Sequence, residues 1–336
     1  MITADTEFDV VLAGRVFFDI IFTGLPSSPP PGTETFARGM GASPGGIANL
    51  AVAASRLGLR TALATVVGGD AYGRWMWDVL LQEGVDLSHS CRARELHTSV
   101  TVSLIEDGDR AMVTHAHDDP VSAESLLAEG VPARTAILDL AAMADGQERW
   151  WLRAARQGTW LFAGTGWAAT GAWDPRDLDP LVHCHAFIVN AAEAAHYART
   201  ETPLEAARWL SARVPLAVVT CGPDGAIAVD AASGEEASVP AIPAEVLDAT
   251  GAGDVFAAAF VVGTLRNWPL VQRLAFAALC AGLAVQHFGG AMGAPGGGDL
   301  GDWWAATRRG DDADLRRRYA FLDQGLFYAL GRAGRW

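Results

Sequence analysis

Lysine is missing altogether. Of the 336 residues, 25 are basic, and every one of them is arginine. That absence excludes a Walker-type P-loop and the protein-kinase arrangement, both of which need a lysine on the phosphates. It also excludes Schiff-base chemistry and pyridoxal phosphate attachment. If the chain handles ATP, it must do so with backbone, arginine and metal. Positive charge is scarce in general, and the net charge is −14. Nucleic acid and anionic membranes need a basic footprint, so neither is expected as a partner. Cysteine is sparse too: Cys91, Cys184, Cys221 and Cys280 show no C-x-x-C spacing and read as reduced thiols of a cytoplasmic protein. The longest apolar run, Leu274–Val285, is too short to span a bilayer. The first residues lack the basic start of a signal peptide. No dinucleotide fingerprint occurs either. Gly164-Thr-Gly166 follows a strand with the wrong spacing, and Gly39-x-Gly41 follows a proline-rich loop.

What is present is apolar and regularly punctuated. Half the residues are hydrophobic, enough to bury a sizeable core in one large α/β domain or two ordinary ones. Phe8–Gly14 reads as a buried strand and Arg60–Val67 as another. Strands are also expected at Thr135–Ala141, Thr159–Ala163, Ala186–Asn190 and Pro215–Thr220. Helices alternate with them: Gly45-Gly46 opens one that Gly58 stops, Asp70 caps Ala71–Glu83, and others cover Gly146–Arg156 and Leu270–Phe288. Such alternation predicts a mostly parallel sheet covered on both faces. Thr98–Ile105 and Ala111–His115 form a hairpin signal around Glu106–Arg110, and Thr33–Arg38 is expected as a further short strand. His115-x-His117 and His183-x-His185 lack partners at zinc spacing and are read as polar residues rather than a metal site.

One stretch concentrates the chemistry: Asp248-Ala-Thr-Gly-Ala-Gly-Asp254. A β-like run over Ala244–Leu247 precedes it, and the helix-forming run Val255–Leu265 follows. A glycine-rich turn that opens a helix offers backbone N–H groups at the positive end of the helix dipole, which suits an anion. Asp254 falls in the first turn, beside any anion held there. A carboxylate in that place is odd unless it handles a proton. The plain alternative is a helix cap made by Thr250 or Asp254.

Read with Gly45-Gly-Ile-Ala-Asn49, Leu57-Gly58 and Val67-Gly-Gly-Asp70-Ala-Tyr-Gly73, this stretch resembles the signatures of the ribokinase/PfkB family of carbohydrate kinases, from about Phe8 to about Gly298. The resemblance implies a ribokinase-like three-layer α/β/α fold with a small β lid. Residues 1–298 would form the kinase domain, lid segments falling at about 15–40 and 98–116, and 299–336 would form a C-terminal extension. It implies an ATP-dependent kinase acting on a hydroxyl of a small sugar. Asp254 would be the base, with Gly251, Ala252 and Gly253 as the anion hole. Asp19, Gly45, Gly46 and Asn49 would contact the sugar, and Thr220, Gly222 and Gly225 the nucleotide. Asn190 and Glu193 would act near Mg²⁺ through water, although Asn-x-x-Glu is equally a capping box. Asp248 matches a monovalent-cation position, for K⁺. Two departures stand out: Ala249 replaces the usual Thr, and an Asp-Pro-Asn-x-Arg pattern is missing near Ala163–Ala168. A nucleoside is the alternative substrate, with Phe17, Phe18 or Phe36 stacking on its base. Phosphorylated sugars would call on Arg15, Arg38 or Arg110. A non-catalytic sugar-binding protein is the alternative of another class. The aromatic C-terminal tail would pack on the body or on a second subunit as a homodimer.

Overall fold

The computed structural model describes residues 7–27, 29–106, 109–144, 149–165 and 173–323. The tip of the 98–116 hairpin, the Gly166–Gly171 part of the glycine-rich loop and the last aromatic residues therefore lie outside the described residues. Eight strands make the central sheet. In spatial order they are Glu236–Val239, Ala226–Asp230, Leu216–Thr220, Ala186–Asn190, Trp160–Gly164, Ala133–Asp139, Phe8–Ala13 and Thr61–Ala64. The last six run parallel, and the first two join antiparallel at one edge.

Period-two alternation explains the layers. Val10, Leu12, Ala186, Ile188, Leu216 and Val218 enter one buried cluster with the helices Ile47–Arg56, Ala252–Leu265 and Leu270–Ala284. Their neighbours Val11, Phe187, Val189, Ala217 and Val219 enter a second cluster, with Trp150–Arg156, Ala191–Ala198 and Pro203–Ser211. A strand buried on both faces must be apolar throughout, which is why these segments read as continuous runs. Leu300, Trp304, Tyr319, Phe321 and Leu322 belong to the first cluster, and the Trp304 indole donates to Asp323 at 2.7 Å. The tail through residue 323 is thus packed on the body.

A second sheet of four strands, in the order Gly39–Gly46, Val16–Thr23, Val100–Glu106 and Asp109–His115, forms the lid. Its two faces differ. Ser43, Asp19, Thr101 and Thr114 align across the strands on one face, and Ala42, Ile20, Val102 and Val113 align on the other. The polar face looks toward the body. A Cβ placed on Gly289 of the body would lie 3.8 Å from Ser43 and 3.9 Å from Ile21.

Several boundaries differ from the sequence reading. Thr33–Arg38 is not a strand; the lid strand is Gly39–Gly46, where glycines alternate and weaken the pattern. Ala244–Leu247 is also not a strand, since it leaves the sheet edge and is held instead by Leu247 N–H donating to Val285 O at 2.7 Å. The Arg60–Val67 run divides at Thr65 into strands of two different sheets.

Candidate active site

The Asp248–Asp254 turn is built by its own backbone. Gly251 takes a left-handed conformation, φ 76°, and caps the helix Ala252–Leu265 without any side-chain hydrogen bond. The first turn of a helix buried on most sides therefore keeps donors for an outside acceptor. Within the expected anion hole one member is partly engaged: Ala252 N–H donates to Ala249 O at 3.3 Å, closing the turn. A Cβ on Gly251 would come 3.0 Å from the Gly290 backbone, in a conformation that L side chains avoid. A Cβ on Gly253 would meet nothing within 4 Å, so backbone is open to approach there.

Asp248 is buried and fixes the geometry from behind. Its Oδ1 accepts the Thr250 N–H at 2.8 Å and its Oδ2 the Gly289 N–H at 3.1 Å. The carboxylate thereby ties this turn to the 289–293 segment. Asn49, from the first buried helix, completes this floor. Its Oδ1 is buried and has no hydrogen-bond partner among the described residues, and it lies 2.8 Å from where a Gly290 Cβ would sit. Thr250 Oγ1 is likewise buried and without a partner among the described residues, so its hydroxyl is not spent on capping there.

Asp19 comes to this floor from the lid. It lies in mid-strand rather than at a strand end, and a Cβ on Gly45 would lie 1.9 Å from its Oδ2. Only glycine can stand at position 45 beside that carboxylate. Burial pushes the Asp19 carboxyl up to about 7; a hydrogen bond from Thr101 opposes the shift, and the charges of Asp248 and Asp254 add to it. That mutual repulsion shows that Asp19, Asp248 and Asp254 share one neighbourhood. Gly46, φ 64°, is the N-cap of the Asn49 helix, with Phe17 against it.

The remaining predicted residues lie along the carboxyl ends of neighbouring parallel strands, the edge where open α/β sheets bind ligands. Asn190 and Thr220 are register partners there. Asn190 and Glu193 do form a capping box, with Glu193 N–H to Asn190 Oδ1 at 2.9 Å and the reverse bond at 3.2 Å. Thr165 also donates to Glu193 at 2.9 Å. Among the described residues no three His, Cys, Asp or Glu converge as metal ligands. This donor set suits an ion held through water. Gly225 has a packing reason, since a Cβ there would lie 2.0 Å from Val239 O, whereas Gly222, φ 55°, faces open space.

Other candidates resolve against ligand contact. Phe18 stacks on Tyr72 at 4.4 Å and packs edge-on to Trp75, on the lid face turned away from the floor. Arg15 is paired with Asp119 at 3.3 Å. His115 and His117 face each other at 3.1 Å between their Nε2 atoms. Sequence reading missed Thr101, whose only signal was its place in an alternating strand. It also missed the exposed apolar side chains Val246 and Leu247 that precede Asp248.

The site thus presents one carboxylate in the first turn of a helix capped by Gly251 without a side-chain bond, with a second carboxylate close by on the smaller sheet. Residues 9–295 match the pfkB family carbohydrate kinase model. The chain belongs to that family. It is accordingly a phosphotransferase with an alcohol group as acceptor. Among curated relatives, a 5-dehydro-2-deoxygluconokinase of Shouchella clausii is 27% identical over 83% of this chain and 90% of its own length. A fructoselysine 6-kinase of Escherichia coli is 29% identical over 74% of this chain and 91% of its own. Among solved structures, an Arabidopsis thaliana ribokinase complexed with ribose and ATP superposes with a TM-score of 0.71 at 21% identity, over 88% of this chain and 98% of that one. A candidate ribokinase II of Escherichia coli with ATP and Mg²⁺ gives 0.74 at 21%, over 90% and 99%. These structures establish the ribokinase-like fold of the pfkB kinase described here.

Proposed function

We propose that this pfkB kinase transfers the γ-phosphoryl group of ATP to a hydroxyl of a small sugar, with Asp254 as the base. The observation that carries the reading is the position of Asp254 in the first turn of the Gly251-capped helix, opposite Asp19 on the lid. Asp19 and Asn49 hold sugar hydroxyls, the carboxylate as acceptor and the amide as both donor and acceptor. Asp254 takes the proton of the attacking hydroxyl. The N–H groups of Gly251 and Gly253, with Ala252 once its bond to Ala249 O opens, face the charge that builds on the transferred group. Thr220 and Gly222 line the nucleotide side. Asn190 and Glu193 hold Mg²⁺ through its water shell, and Mg²⁺ when bound shields the phosphate charge. The lid excludes water over the site.

Asp248 fits a monovalent cation. It is buried and forms no salt bridge among the described residues, so its charge is met only by two amide N–H groups. A bound K⁺ would neutralise it, and K⁺ should raise Tm and kcat where Na⁺ does not. The apolar outer face of the lid, with Met40 and Val113 each 70% exposed, supports a homodimer through that face.

The sugar reading is favoured over a nucleoside because Phe18 is committed to Tyr72 and Trp75 while the floor-facing lid row is hydroxyl and carboxylate. ADP release from Mg·ATP across a panel of sugars, sugar acids and nucleosides tests it, with Asp254→Ala as control. Turnover confined to nucleosides, or retained in the variant, would overturn the assignment. The names of the relatives put 5-dehydro-2-deoxygluconate, ribose and fructoselysine first on that panel.

A further inference from the structure

The floor-facing side of the lid carries hydroxyls beyond the sugar contacts assigned above. Ser43, Asp19, Thr101 and Thr114 form one lateral row, and Ile21, Ser103 and Met112 form the next. Thr101 hydrogen-bonds to Asp19, and Thr101 Oγ1 and Thr114 Oγ1 are 3.0 Å apart. An ionised carboxylate only accepts. With Asp19 ionised, Thr101 must therefore donate to it, and Thr114 must donate to Thr101. The two hydroxyl protons point one way, toward Asp19, and hold the carboxylate in a single orientation.

Ser103 is different. It is 2% exposed, and its Oγ has no hydrogen-bond partner among the described residues. A buried hydroxyl without a partner is costly, so its place on the cleft-facing side of the lid calls for an explanation. The floor of the same cleft keeps two more unpartnered buried atoms, Asn49 Oδ1 and Thr250 Oγ1. Unspent polar atoms therefore occur on both walls.

We infer that Ser103 is a specificity-determining residue that donates its hydroxyl proton to an oxygen of the bound sugar, while the Thr101–Thr114 pair positions Asp19 for a neighbouring hydroxyl. The inference rests on the sugar-kinase reading and narrows it. The strip of Ser43, Thr101, Ser103 and Thr114 holds no cation. It reads uncharged oxygens, hydroxyl or carbonyl, and not a phosphate, on the part of the sugar away from Asp254.

The test pairs Ser103→Ala with the best sugar from the panel and its monodeoxy analogues. For the parent sugar KM should rise about tenfold with kcat retained, the size of one lost neutral hydrogen bond. One deoxy analogue, lacking the oxygen that Ser103 meets, should show the same KM with either protein. An unchanged KM for the parent, or an equal penalty on every analogue, would overturn the inference. Thermal melting checks that Ser103→Ala is folded. Thr101→Val tests the positioning role. It removes the bond that favours ionised Asp19, so the pH at which sugar affinity rises should move upward, with Asp248 and Asp254 still facing Asp19 from the body. A purely structural threonine would leave that midpoint in place. Calorimetric binding of the same sugars reads both variants without turnover. Sugar binding with no turnover refutes the kinase reading alone, whereas no sugar binding at all sinks both.

Discussion

Replacing Asp19 by asparagine should make the protein's stability respond differently to pH, by an amount that follows from the site's geometry. The native carboxyl titrates at about 7 against an ordinary 3.8. Between those values the folded protein holds a proton that the unfolded chain has lost. Stability therefore falls as pH rises through this window. The contribution is fully present below 3.8, is lost as pH rises through 7, and is flat beyond. The slope is about 1.36 kcal/mol per pH unit. Between pH 5 and pH 8 the native protein should lose about 2–3 kcal/mol through this one group, nearly all of it below pH 7.

The Asp19→Asn side chain would be neutral throughout and would escape that loss. Urea unfolding of both proteins at pH 5, 6, 7 and 8 gives the comparison, because every other titrating group is common to the two. The stability of Asp19→Asn relative to the parent should improve by about 2–3 kcal/mol across the series. Parallel curves would refute the reasoning, since they would mean that Asp19 is neither desolvated nor repelled by Asp248 and Asp254. Function should move the other way. Sugar hydroxyls donate to the ionised form, so affinity in the parent rises with pH through about 7. The asparagine variant should bind sugar weakly at every pH.

Asp254→Asn should lower kcat by about 10²–10⁴-fold, the usual weight of a general base, while calorimetric sugar affinity stays within a few-fold. Gly45→Ala would drive a methyl to within 1.9 Å of Asp19 Oδ2; sugar binding should be lost, and urea unfolding should show a cost of about 1–3 kcal/mol. Trp304→Ala removes a buried ring and its bond to Asp323, and should destabilise by about 3–5 kcal/mol in the same assay, although the residue lies far along the chain from every motif. Val113→Asp places a charge in the exposed apolar lid face. Light scattering should then find a dimer for the parent and a monomer for the variant, and an unchanged mass would remove that face from consideration.

The parallel sheet was legible because its strands are buried on both faces. Segments such as Ala186–Asn190 and Leu216–Thr220 leave few alternatives to a buried strand. Helix starts at Asp70 and Asn190 were legible because a cap needs a particular side chain at a particular spacing, and both caps are formed. The lid was harder. Gly39–Gly46 contains four glycines and a proline, so its strand character comes from pairing along the whole length of Val16–Thr23 and not from propensity. The Asp248–Asp254 turn could be recognised from its residues, but the service of Asp248 could not. Its two amide partners are Thr250 and a glycine 41 positions away, and only tertiary structure brings Gly289 there. The same holds for Gly45. Its role is to make room for a carboxylate on another strand, which no local pattern encodes.

The missing lysine and the clustered carboxylates belong to one design. Asp19 and Asp248 form no salt bridge among the described residues, and Asp254 lies within their reach. The fixed positive field at the turn is supplied by the amino end of the Ala252–Leu265 helix, which is weak beside a full cation. Burial and the charges of Asp248 and Asp254 raise the Asp19 carboxyl to about 7, so part of the cost of gathering these groups appears as a proton held on Asp19. On the proposed reading, ligands would relieve this from three sides: sugar hydroxyls would favour ionised Asp19, Mg²⁺ would arrive with the nucleotide, and a monovalent cation would meet Asp248. A lysine in the same place would neutralise Asp254 and compete for the phosphates at all times. Backbone dipoles hold an anion only while it is present, so under the proposed mechanism Asp254 would remain available as the base until the reacting groups are assembled. On this view the acidity of the cleft is what makes the chemistry conditional on a complete set of ligands.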